Sequence, residues 1–102
     1  MKQSYEVKLW VNSAPVDLNP FVEDFLARTL AGAVSSLKGV EVITELELSV
    51  QEGDVSILVN GNDIPLTPFP NDAIASIVTG IVSRLRDVGS SVGRVRVHME
   101  AR

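Results

Sequence analysis

The sequence predicts an α+β fold of the ferredoxin-like kind: an antiparallel sheet with two helices on one face, in β-α-β-β-α-β order, plus a short hairpin in each half. Three observations predict it. The chain matches itself under a shift of 48 residues, each half reads strand, turn, short strand, helix, strand, and the later strands alternate apolar with polar positions.

The match is an internal duplication, with repeats at about 5–51 and 53–101 of one domain spanning 1–102. Val7 to Val40 lies over Val55 to Val88 without a gap, and 13 of the 34 pairs are identical. They include Val11/Val59, Asn12/Asn60, Pro20/Pro68, Phe21/Phe69, Asp24/Asp72, Gly32/Gly80 and Ser35/Ser83. One extra residue then shifts the match to 49, pairing Leu46, Leu48 and Val50 with Val95, Val97 and Met99.

Each element has its own signal. Ile57-Leu58-Val59 runs into Asn60-Gly61, a hairpin turn in which both residues tolerate positive φ, and Val11-Asn12-Ser13 is a weaker turn of the same kind. Pro65 holds the short return strand to an edge, because it has no N–H for a ladder. Asn19-Pro20 and Thr67-Pro68 place a capping side chain before a proline at the first helical position. Apolar residues then recur at helical spacing from Phe21 to Leu37 and from Phe69 to Leu85, with Gly39 and Gly89 as stops. Gly32 and Gly80, mid-helix and duplicated, predict close helix–helix packing, since glycine there costs about 1 kcal/mol relative to alanine. Gly53-Asp54 marks the turn between the second and third long strands. The alternative fold is a β-grasp-like first half (hairpin, helix, hairpin), which leaves the second half unexplained.

Composition narrows the function. The chain has 102 residues, no Cys, one His and a net charge of −4. Without cysteine there are no disulfides, thiolate nucleophiles or Cys-held metals, and a lone His98 cannot share a metal with a second histidine. The acidic balance argues against nucleic acid, which requires a basic stripe. No apolar run is long enough for a bilayer, and Met1 to Glu6 lacks a signal-type apolar core, so the expected compartment is cytoplasmic. Neither the P-loop nor the dinucleotide fingerprint is met; Gly89-Ser90-Ser91-Val92-Gly93 follows a helix and precedes a strand, the reverse of the order that aims amides at a phosphate. Asp24 and Asp72 read as helix-start carboxylates before they read as an acid–base couple, and Ser35 and Ser83 as small packing residues. No catalytic, cofactor-binding or metal residue is assigned.

What remains is the sheet face opposite the helices. In the ferredoxin-like strand order Trp10 and Leu58 stand outward on the two central strands, with Glu45 and Glu47 on one edge strand and Arg94 and Arg96 on the other. An apolar centre between an acidic and a basic edge is self-complementary, so these six residues are the expected interface of a homodimer. The expected function is that of a small oligomeric domain acting by binding. The alternative is a small-molecule-binding regulatory domain, by topological analogy with ACT-type domains. An enzyme using carboxylates is the least favoured reading.

Overall fold

The structure, a computed structural model of the chain, describes residues 4–85 and 92–102. The expected Gly89 helix stop and the residues around it lie outside these. The described chain runs β1 (Tyr5–Val11), β2 (Ala14–Val16), α1 (Pro20–Ser35), β3 (Glu45–Gln51), β4 (Asp54–Val59), β5 (Asn62–Asp63), α2 (Pro68–Val82) and β6 (Arg94–Ala101). Among the described residues the strands form one six-stranded antiparallel sheet in the order β2-β1-β6-β3-β4-β5.

This order corrects the expected one. The long strands after the helices, β3 and β6, are the centre of the sheet, and β1 and β4 lie outside them. The hairpins are the reason. A strand has two hydrogen-bonding sides, and the ferredoxin-like order uses both sides of the first and third long strands. Here β2 folds back on β1, pairing Leu9 with Val16 and Val11 with Ala14, and β5 folds back on β4, pairing Leu58 with Asp63. One side of each strand is therefore already taken. Each then has one free side, and the two helix-following strands pair with each other between them. The β-grasp alternative falls for the same reason, because β6 from the second half lies between β1 and β3.

The centre of the sheet is pseudo-symmetric. Leu46 pairs with Met99, Leu48 with Val97 and Val50 with Val95, so the 49-residue offset maps this ladder onto itself about Leu48 and Val97. The tight turns match as well: Asn12 and Ser13 have φ of 51° and 70°, and Asn60 and Gly61 have φ of 53° and 84°. Both are the positive-φ pairs that suit a two-residue hairpin. The β3–β4 turn is made by Glu52 and Gly53, at φ of 52° and 82°, and Asp54 already belongs to β4.

Period-two alternation puts Val7, Leu9, Val11, Leu46, Leu48, Val50, Ile57, Val59, Val95, Val97 and Met99 under the helices. Leu26, Leu30 and Val34 of α1 and Ile74, Val78 and Val82 of α2 close the core from the other side. α1 packs chiefly on β1 and α2 on β4, with a groove between the helices.

Close helix–helix packing at the glycines does not occur. A Cβ at Gly32 or Gly80 would meet nothing within 4 Å. Both glycines sit in the last helical turn, since α1 ends at Ser35 and α2 at Val82, with Ser36 and Ser83 as C-caps. Their carbonyls have no helical N–H partner further along, and Ser35 and Ser83 donate hydroxyl hydrogen bonds to them at 3.1 and 3.0 Å. The two serines therefore finish helix ends. At the other end Asn19 Oδ1 accepts from Val22 N at 2.8 Å, whereas Thr67 holds the cap position without a side-chain cap bond.

Candidate functional site

The helix starts close the sheet edges. β2 covers β1 only from Leu9 to Val11, and β5 covers β4 only at Leu58 and Val59. Beyond those points Val7 N donates to Glu23 Oε2 at 2.9 Å, and Val55 N donates to Asn71 Oδ1 at 2.9 Å. Glu23 and Asn71 are equivalent under the 48-residue shift and stand in the first turns of α1 and α2. Each helix thus hands a side-chain acceptor down to the edge of its own half. Arg102 Nη2 adds a contact to Glu23 Oε2 at 3.2 Å, and Asn71 Nδ2 donates to Gly53 O at 2.8 Å. With Pro15 inside β2 and Pro65 just after β5, the edges are poor templates for another strand.

A second duplicated pair ties the halves together. Asn60 Oδ1 accepts from Thr44 N at 2.9 Å, Thr44 Oγ1 at 2.6 Å and Glu45 N at 2.9 Å, while its Nδ2 donates to Val42 O at 2.7 Å. Asn12 Oδ1 accepts from Gly93 N and Arg94 N, both at 2.9 Å. Each asparagine is a turn residue of one half that organises the entry to a central strand of the other. Sequence reading sees the turn and not the clamp, because the partners are 15 to 82 residues away.

Closed edges leave two broad faces, of a slab 35 × 32 × 18 Å. The open sheet face carries all six residues expected at an interface, but in a different arrangement. Trp10 and Leu58 stand on β1 and β4, separated by β6 and β3, so they form no apolar centre. β3 and β6 fill the middle with charge: Glu45 stands opposite Glu100 and Glu47 opposite His98, while Arg96 and Arg94 lie further along, opposite Ser49 and Gln51. Arg96 reaches Glu47 at 3.3 and 3.5 Å and covers Trp10, with its guanidinium carbon 4.6 Å from the ring centroid. Arg94 donates to Gln51 at 3.2 Å, and Glu6 lies opposite Glu100, away from both arginines. His98 Nε2 stands 3.0 Å from Glu45 Oε2 and 3.7 Å from Glu47 Oε1. Charge also grades along the strands, from a row of Glu6, Glu100 and Glu45 at one end to Arg96 and Arg94 at the other.

The acid–base couple imagined for Asp24 and Asp72 is not assembled: Asp24 pairs with Arg28 at 2.8 Å, and Asp72 accepts from the Asn71 side chain at 3.2 Å. Among the described residues no cluster of His, Asp or Glu has the arrangement to hold a metal ion.

The helix face is the feature that sequence reading missed. Phe21 and Phe25 of α1 are 75% and 49% exposed and stack with centroids 6.1 Å apart, and Phe69 at the start of α2 is 81% exposed. Helical spacing counts them with the apolar residues of each helix and does not say which of these face the core; the side chains that do are Leu26, Leu30, Ile74 and Val78. Between the helices runs a groove of about 580 Å³ lined by Phe21, Val22, Phe25, Ile77, Ile81 and Leu85, with Gly80, Ser76, Thr29 and the charged Arg84 also at its walls. α2 carries a single charged residue, Asp72, over fifteen residues.

No family model matches the chain, and neither the curated proteins nor the solved structures contain a significant match.

Proposed function

We propose that the protein is a small self-associating domain that acts by binding rather than by bond chemistry. The observation that carries this reading is the set of phenylalanines held in water on the helix layer, where they add little to the core beneath. Apolar surface of this kind, gathered on one face, marks a contact site. The edge plugs at Glu23 and Asn71 support it from the other direction, since they turn association away from strand addition and toward the two faces. The open sheet face is the alternative to the helix layer as the contact surface. In a two-fold pairing of sheets its Glu6, Glu100 and Glu45 end would meet the Arg94 and Arg96 end of the other copy, with Trp10 and Leu58 flanking.

Sedimentation velocity of the full chain across micromolar concentrations tests the proposal. A species at twice 11.0 kDa supports it, and a monomer throughout overturns it.

A second reading has its own observation. A groove of about 580 Å³ lies within the roughly 300–1,000 Å³ range of small-molecule sites and is lined by six apolar side chains, with Arg84, Thr29 and Ser76 as its polar groups. An apolar small molecule retained in native mass spectrometry would favour this regulatory role. The ACT-type analogy no longer supports it, because that analogy depends on a strand order this chain does not have.

A further inference from the structure

We infer that the helix layer is the surface on which a second copy docks, the two layers lying face to face about a two-fold axis; this rests on the self-association proposed above. Four observations identify the occupant as a second copy. The first is area. Three phenylalanines at 75%, 49% and 81% exposure, at about 200 Å² for each side chain, present about 400 Å². That is half of the roughly 800 Å² per partner that a stable interface needs, and the half-buried Val22, Ile77, Ile81 and Leu85 lie alongside to supply more.

The second observation is charge. The chain is at −4, yet among the described residues the outward charges from Pro20 to Ser35 and from Pro68 to Leu85 are Asp24, Arg28, Asp72 and Arg84, which sum to zero. Asp24 and Arg28 neutralise each other at 2.8 Å, and Glu23 turns away to the strand edge. Two copies therefore approach through these layers without the repulsion that their net charges impose elsewhere. Charge depletion with retained aromatics is also the composition of an interface centre.

The third is shape. Phe21 and Phe69 are equivalent under the 48-residue offset, as are Gly32 and Gly80. The helix layer thus presents similar aromatic knobs at the two helix starts and similar flat ground at the two helix ends, and in the isolated chain nothing lies within 4 Å of where a Cβ would stand at either glycine. A face bearing both knobs and flat ground can meet a copy of itself, as an isologous contact requires. The fourth is elimination: the plugged edges at Val7 and Val55 leave only faces, and on the opposite face Arg96, Glu47, His98 and Glu45 already satisfy one another.

The test uses the full chain with Phe21→Glu and Phe69→Glu together, Ser76→Arg alone and Trp10→Glu alone, each checked by circular dichroism and sized by light scattering. Ser76 is exposed at the groove wall, so its substitution guards against a folding defect in the double variant. The wild type and Trp10→Glu are expected at twice 11.0 kDa, and both helix-layer variants folded at 11.0 kDa, with dimerisation weakened roughly hundredfold or more. A folded helix-layer variant that keeps the wild-type dimer, or loss of the dimer in Trp10→Glu alone, overturns the helix-layer contact while self-association stands. A monomeric wild type overturns both.

Discussion

Asn60 shows how a turn residue can hold two halves of a fold together, and its removal separates two physical effects. Its side chain makes four hydrogen bonds at 2.6 to 2.9 Å, to Thr44, Glu45 and Val42, and its backbone sits at φ 53°. Asn60→Gly keeps the backbone at ease and deletes the bonds. Each is worth ~0.5–1.5 kcal/mol net, toward the low end at an exposed site, so the loss should be about 2 kcal/mol. Asn60→Ala deletes the same bonds and adds ~1 kcal/mol for placing a Cβ in the left-handed region. The pair should therefore differ by that amount. In a domain of this size 1 kcal/mol moves Tm by about 4–8 °C, so Asn60→Gly should melt about 8–16 °C below the wild type and Asn60→Ala lower again. Urea unfolding followed by circular dichroism measures both free energies. Asn60→Gly within about 0.5 kcal/mol of the wild type would refute the clamp, because the four bonds would then be no better than those to water.

Gly32→Ala and Gly80→Ala should each stabilise the isolated chain by about 0.5–1 kcal/mol in urea unfolding, since the added Cβ meets nothing and alanine favours the helix; destabilisation would reinstate a close contact. Tyr5 donates from its hydroxyl to Ile43 O at 3.0 Å, and burial raises its pKa above 10.0. The folded chain then binds the phenolic proton more tightly than the unfolded one, so this contribution is complete below pH 10 and is lost as pH rises through the folded value. Tyr5→Phe should accordingly flatten the alkaline decline in stability, and an unchanged decline would contradict the assignment. Arg96→Ala should shift the emission of the single tryptophan toward longer wavelength, because the guanidinium that covers Trp10 is removed; an unchanged spectrum would mean that this cover does not persist in solution.

Much of the fold is legible in local patterns. The alternation in Leu46, Leu48 and Val50 and in Val95, Val97 and Met99 gives the inward face of the central strands, and Asn60-Gly61 gives its hairpin. Strand order is different in kind, because it depends on which sides of a strand remain free. The hairpin signals at Asn12 and Asn60 held that information, since a strand already paired with its own return arm cannot be central between two long strands. The sheet-face site moved with the order: the same six residues face outward, but the charges occupy the middle and the apolar pair the flanks. Phe21, Phe25 and Phe69 were illegible for another reason. Helical periodicity marks an apolar side chain as facing some surface, and cannot distinguish the chain's own core from the surface of another molecule. Glu23 and Asn71 were hidden because the repeat does not preserve their identity, although both supply an acceptor to the same strand position.

Whether helix layers meet is decided by a mixed sample of ¹³C-labelled and unlabelled chains in isotope-filtered NOE spectroscopy, which sees only contacts between copies. Contact through the helix layers gives cross-peaks linking the rings of Phe21, Phe25 and Phe69 to methyl groups of Ile77 and Ile81, and none from the Trp10 indole. Cross-peaks from Trp10 to Leu58 methyls with silence at the phenylalanines would contradict it and move the contact to the sheet.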